Sequence, residues 1–199
     1  MSASEQWKHT VCFGTIVPML TLTYEFKLKP TKQQAEKMQH ILDVCRSVWN
    51  YALRERKDWS ASRKCPVNAC SVRAEYIMKA DTPYPNFAAQ CKALTQAKKS
   101  SDWLKSVNAQ VLQQVLKTLD RAHADMKKKG CGFPRFKRPN RMRSFVFPQL
   151  SKSPLAEGVV KLPSTGAVRI HQSRPYPEGF DVKQARIVKR ASGFYLMLT

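Results

Sequence analysis

The chain has 199 residues and carries 35 Lys and Arg against 14 Asp and Glu, a formal net charge of +21. At 43% hydrophobic and 10% aromatic it can bury a core, which excludes wholesale disorder, and no apolar run approaches the ~18 residues of a membrane span. So large a positive charge calls for a polyanionic partner, nucleic acid first; a membrane surface is the weaker candidate, because no basic amphipathic helix stands out.

Residues 1–18 are read as an uninformative N-terminal extension. Val11 to Leu22 is mildly apolar and follows Lys8 and His9, which loosely imitates a signal peptide, but Pro18 interrupts it and no small-residue cleavage site follows. From Leu20 to Leu28, Leu20, Leu22, Tyr24, Phe26 and Leu28 alternate with other residues, the pattern of a half-buried strand. Pro30 ends it. Thr31 then suits a helix N-cap, with Gln34 completing a capping box. Ala35, Met38, Ile41, Leu42, Cys45, Val48, Trp49, Ala52 and Leu53 make an apolar stripe on a helix ending near Trp59. Arg46, Asn50, Arg54 and Lys57 lie on its other side and read as a solvated polar face.

Residues 60–70 read as a loop with Pro66, and Ser71 to Ala80 as a short helix. The prolines at 83 and 85 force a break. Phe87 to Lys98 reads as a third helix, with Phe87, Cys91 and Leu94 on one side. From Asn108, Val111, Leu112, Val115, Leu119, Ala122 and Met126 repeat at helical spacing; Lys127, Lys128 and Lys129 suit its last turn, and Gly130 is the expected stop. Residues 31–129 thus read as a four-helix unit.

After Gly130, prolines and glycines punctuate short alternating runs. Ser144–Phe147, Gly158–Leu162, Ala167–His171, Asp181–Lys189 and Phe194–Leu198 read as strands, with a hairpin turn at Ala191, Ser192 and Gly193. The fold class expected is α+β: a small antiparallel β-barrel, joined by the strand before the helices, with the helical unit inserted.

Charge is uneven. Residues 1–126 hold 19 Lys/Arg and 11 Asp/Glu, whereas residues 127–199 hold 16 and 3. The densest stretch, Lys127 to Phe147, carries Lys127, Lys128, Lys129, Arg135, Lys137, Arg138, Arg141 and Arg143 with no acidic residue, interleaved with Phe133, Phe136, Phe145 and Phe147. Cations neutralise phosphates with counterion release, and aromatic faces can stack bases. The alternative is a solvated basic linker, and for the phenylalanines by themselves a core role is the better reading.

No catalytic constellation is visible. His9, His40, His123 and His171 are scattered, and His123, between Asp120 and Asp125, reads as an ordinary surface histidine. Metal-dependent nucleases gather carboxylates, and residues 127–199 offer only Glu157, Glu178 and Asp181. Phosphate-cradling glycine loops and nucleophile elbows are absent. Six cysteines form no CxxC pair; Cys65 and Cys70 have loose zinc spacing without a second pair, so reduced thiols are expected, with Cys45 in a helix core.

Several segments together resemble the TnpB family, also called OrfB, of bacterial insertion sequences. They are YEFKLKPTKQQAEKMQHILDVCRSVWNYALRERK, WLKSVNAQVLQQVLKTLDRAHADM, GFPRFKR followed by RSFVFP, VKLPSTGAVRI, and VKQARIVKRASGFYLML, in the family's order over about residues 20–199. TnpB proteins are RNA-guided DNA nucleases, and their opening segment is also described as a helix-turn-helix-like transposase domain. The resemblance implies a wedge-like, OB-like barrel from residues 19–30 and 130–199 and a recognition lobe from 31–129. It also implies a RuvC-like nuclease domain and zinc ribbon beyond the point matching Thr199. The expectation is a truncated protein that is not itself an enzyme: no catalytic residues, no metal site and no cofactor.

The resemblance further implies structured guide RNA and double-stranded DNA as partners, no membrane, and a cytoplasmic place, at the nucleoid when DNA-bound. Arg135, Lys137 and Arg138 would meet nucleic-acid backbones, with Lys127, Lys128, Lys129, Phe136, Arg141 and Arg143 beside them. Gln113 falls where a family glutamine helps read the DNA motif next to the target. Gln110, Phe145 and Val146 fall at or beside neighbouring contacts; Ala109, Gln110 and Val146 depart from the lysine, aromatic and hydroxyl residues of the family pattern. Two alternatives stand: half of a split endonuclease completed by a separate nuclease chain, and a non-functional remnant.

Overall fold

The computed structural model describes residues 22–64, 81–150, 155–156, 158–175 and 181–199. The expected helix at Ser71–Ala80, the Cys65/Cys70 pair and the N-terminal extension lie outside them.

Seven strands and four helices follow one another as β1 (Tyr24–Lys29), α1 (Lys32–Ser62), α2 (Phe87–Ser100), α3 (Asp102–Lys105), α4 (Ala109–Lys129), β2 (Ser144–Phe147), β3 (Leu155–Ala156), β4 (Val159–Leu162), β5 (Gly166–His171), β6 (Ala185–Arg190) and β7 (Gly193–Leu198). The α+β class agrees with the sequence reading; six strands overlap the expected ones, with β1 starting at Tyr24 rather than Leu20 and β6 at Ala185 rather than Asp181, while β3 and α3 were not expected. The capping box forms as its spacing dictates: Thr31 Oγ1 accepts from Gln34 N–H, and Gln34 Oε1 accepts from Thr31 N–H. α1 runs three residues past Trp59. The Trp59 indole N–H donates to Thr82 O (2.8 Å) and its ring meets Tyr84 edge-on, so the last turn has tertiary support. α4 stops at Gly130, whose φ of 64° is the left-handed geometry that glycine adopts without a Cβ penalty.

The strands form one antiparallel sheet in the order β2-β6-β7-β1-β5-β4-β3. β1 lies between β7 and β5, with Phe26 opposite Leu196 and Leu28 opposite Ile170. The helices therefore leave the chain between one central strand and the rest of its sheet, as the alternation at 20–28 suggested. Arg190 pairs with Gly193 across the expected β6–β7 hairpin turn. The sheet is open rather than closed into a barrel among the described residues. β2 and β3 are its edges, and no ladder joins them. Closure needs edges able to pair along their length, and β3 offers two residues, while α1 and α4 pack against β2.

Alternation sends Phe26, Leu28, Phe145, Phe147, Ile187, Leu196 and Leu198 inward, where they join Met38, Leu42, Leu53, Leu112, Leu116 and Leu119 of the helices in one core. Cys45 sits in it, and burial pushes its thiol pKa up to about 12. A buried polar cluster stitches the helices together. Arg56, only 1% exposed although it falls in the apolar stripe, donates from Nη2 to Asp120 of α4 (3.0 Å) and from Nε to Gln90 of α2 (3.0 Å). Gln90 in turn donates to Ala52 O and Glu55 of α1. Among the described residues no helix is long and apolar enough to cross a membrane.

Candidate nucleic-acid interface

The basic stretch after α4 has no strand or helix until β2, yet its backbone is fixed. Asn50, midway along α1, clamps Lys137 from both sides: its side-chain NH2 donates to Lys137 O (3.0 Å), and its Oδ1 accepts from Lys137 N–H (2.8 Å). One residue earlier in α1, the Trp49 indole N–H donates to Arg135 O (3.1 Å). These bonds satisfy backbone groups that an irregular segment would otherwise leave to water. Arg141 N–H closes a turn onto Arg138 O, with Asn140 at φ 60°, and Lys189 N–H of β6 donates to Arg143 O.

With the backbone held, the side chains sort by exposure. Arg135, Arg138, Arg141 and Arg143 are exposed, and none forms an ion pair among the described residues. Lys137 is half-buried with its ammonium 4.5 Å from the Trp49 ring centre, and burial lowers its pKa. Lys57 sits over the Phe136 ring at 5.1 Å. Lys127 and Lys128 are exposed, while Lys129 pairs with Asp125 at 2.9 Å.

The four phenylalanines divide. Phe145 and Phe147 are core residues, whereas Phe133 and Phe136 are 39% and 45% exposed. A core role for all four is therefore corrected. So is a DNA-facing Phe145: it is 2% exposed, because strand alternation turns 145 and 147 inward and leaves Val146 outward, opposite Arg186. The surface reading of His123 is corrected too. The chain after Gly130 folds back, Phe133 meets His123 edge-on at 5.3 Å, and the imidazole is buried.

A second group lies at the start of α4. Asn108 caps the helix by accepting from Gln110 N–H (2.8 Å), Gln110 donates to Gln149 (3.1 Å), and Gln113 is exposed one turn on. The structure does not bring Gln113 and the lysines together. Sixteen residues of helix separate Gln113 from Lys129, about 24 Å of rise. Among the described residues no three of His, Cys, Asp and Glu gather as a metal-binding group.

The sequence reading put Trp49 in the apolar stripe and Asn50 and Lys57 on a solvated face, and missed their contacts with the basic segment. Asn50 did leave a signal: asparagine is a poor mid-helix residue, since its side chain competes for backbone partners. Here those partners lie 87 residues away.

A strand and long helix, further helices, a clamped basic segment and an antiparallel sheet thus make up the described residues, and the comparisons give the family. A family model described as a helix-turn-helix domain, of the OrfB insertion-sequence type, matches residues 19–65. Within it, residues 22–64 form β1 and the single unbroken α1 rather than two helices about a turn. An Escherichia coli protein named as an RNA-guided DNA endonuclease, InsQ, is 32% identical over 152 residues, covering 76% of this chain and 34% of that protein. A Streptomyces pristinaespiralis protein named in the same terms is 25% identical over 174 residues, 85% of this chain and 39% of that protein. The chain belongs to the TnpB/OrfB family, and it spans little more than a third of these relatives.

Proposed function

We propose that these residues are the nucleic-acid-binding part of an RNA-guided protein, holding a guide RNA and a DNA duplex and not themselves cutting DNA. Residues 31–129 serve as a recognition lobe, and the sheet, with residues 19–30 and 130–199, as the wedge against which RNA and DNA are held. Arg135, Arg138, Arg141 and Arg143, with Lys127 and Lys128, meet phosphates; Lys137 and Phe136 shape the segment through Trp49 and Lys57. Gln113, with Gln110 and Val146 nearby, reads bases of the DNA motif. The observation that carries this reading is the clamp: Asn50 and Trp49 fix the backbone at 135–137 while the neighbouring arginines reach solvent without acidic partners. Positioned, unpaired guanidiniums are what phosphate recognition needs.

The test is binding of RNA and of duplex DNA across a salt series, comparing the unaltered chain with an Arg135→Ala/Arg138→Ala variant. Losing two phosphate contacts should flatten the slope of log affinity against log salt by about 1.4 for single strands and about 1.8 for duplex. Unchanged affinity and slope for both nucleic acids would overturn the reading.

A further inference from the structure

The helix α2 is thinly packed for its length. Of its 14 residues only Gln90 is buried, and that side chain is spent on α1, donating to Ala52 O and to Glu55. Helices in proteins owe most of their stability to packing an apolar face, and one of this length is marginal by itself. Phe87, Cys91 and Leu94 lean on the core, but Ala89, Ala93 and Ala97, four positions apart in turn, are exposed. Beyond the Gln90 bridge, the space between α1 and α2 is a groove of about 390 Å³. Val48 and Ala52 of α1 and Leu116 of α4 floor it, and Leu94 of α2 walls it. Tyr51 and Trp103 stand at its rim, 73% and 44% exposed.

The lining and its flanks narrow the occupant. The polar side chains in the groove are Ser47, Glu55 and Gln90, and the last two bond each other, so a phosphate would meet no cation there. A second copy of the chain would bring another +21 against the first. The flanks differ in charge. α2 carries Lys92, Lys98 and Lys99 and no carboxylate. Lys92 and Lys99, two turns apart, share the side of α2 next to Ala93; both are exposed and form no ion pair among the described residues. Across the groove, Arg54 and Asp58 neutralise each other at 3.3 Å. One lip is therefore basic and the other balanced. Ser47 and Glu55 lie about 12 Å apart along α1, enough for side chains at i, i+3, i+4 and i+7 of a docked helix, which span about 10.5 Å. Ala93 and Ala97 reach no further than Cβ, so another helix can approach closely.

We infer that this groove docks an amphipathic helix of another protein, with its apolar stripe seated between α1 and α2 and carboxylates on its flank meeting Lys92 and Lys99. The inference stands apart from the proposed nucleic-acid function. No residue of the basic segment lines the groove, so an acidic protein partner and a nucleic acid would occupy different surfaces. The partner supplies α2 with the apolar packing that its own chain does not.

The experiment uses the full chain and two labelled synthetic helices of equal length. Both carry leucine at i, i+3, i+4 and i+7; one is flanked by glutamates and the other by lysines. The glutamate helix should bind the more tightly. Ala93→Trp fills the groove from an exposed position, and Tyr51→Ala/Trp103→Ala strips its rim; each should weaken that binding by about tenfold. All three positions are exposed, so both variants should melt with the unaltered chain when no peptide is present. Lys92→Glu/Lys99→Glu should shift the preference toward the lysine helix. Arg135→Ala/Arg138→Ala should leave peptide binding unchanged, and Ala93→Trp should leave RNA binding unchanged. Glutamate-helix binding that Ala93→Trp does not weaken is general attraction to a basic chain and overturns the assignment. Self-association of the chain that Ala93→Trp abolishes gives the groove to a second copy, and a loss of RNA affinity in Ala93→Trp gives it to nucleic acid; either overturns the proposed occupant. Binding of neither helix leaves the groove to the chain's own residues and overturns it as well.

Discussion

His123 shows how one residue's environment sets a pH response. Its Nδ1 bonds Leu119 O at 3.0 Å and must donate there, so the neutral ring carries its lone pair on Nε2, which is buried without a partner. Protonation would bury an unpaired N–H. Burial accordingly lowers the pKa most; the bond to Leu119 opposes it, Arg56 lowers it further, Asp120 opposes and Lys127 adds to the lowering. The unfolded chain therefore takes up this proton at a higher pH than the folded one. The stability His123 contributes is complete above the ordinary value near 6.5 and is lost as pH falls from there through the lowered folded value. Melting between about pH 7.5 and about pH 5 should show a drop that shrinks in His123→Gln; equal drops would mean other groups govern it. Nothing in the flanking sequence announces this. Asp120 and Asp125 suggest a solvated histidine, and only the return of Phe133 buries it.

At the scale of elements, the sequence exposed what depends on local order and hid what depends on distant return. The α1 capping box, the Gly130 stop, the β2 limits and the β6–β7 hairpin are written in adjacent residues. Barrel closure was not legible, because it depends on how β2 and β3 meet their neighbours, and neither strand's sequence encodes a partner edge. The joint between α1 and the basic segment is hidden likewise. Asn50→Ala should cost about 1–2 kcal/mol by removing both bonds to Lys137. Because it leaves every cation in place, any accompanying fall in RNA affinity isolates the value of a pre-ordered backbone. Denaturant unfolding gives the first quantity and the salt series the second. Loss of stability with undiminished affinity would mean that the arginines bind as well from a loose segment.

For the whole molecule, α4 and the basic segment that follows it offer two kinds of contact. The start of α4 carries Gln113 and Gln110; from its end the chain folds back past His123 to the clamp of Trp49 and Asn50, which sets Arg135 and Arg138. Sharing no hydrogen-bond partner, the two groups should combine additively. Gln113→Ala should reduce discrimination among DNA sequences while leaving the salt slope intact, since an amide neutralises no phosphate. Arg135→Ala/Arg138→Ala should weaken all sequences alike and flatten the slope. Combined, the free-energy changes for duplex binding should sum within about 0.5 kcal/mol. A coupling well beyond that would mean the two groups meet the same stretch of nucleic acid. Additivity with separate signatures would assign base reading to the start of α4 and backbone holding to the clamped segment, as two independent sites.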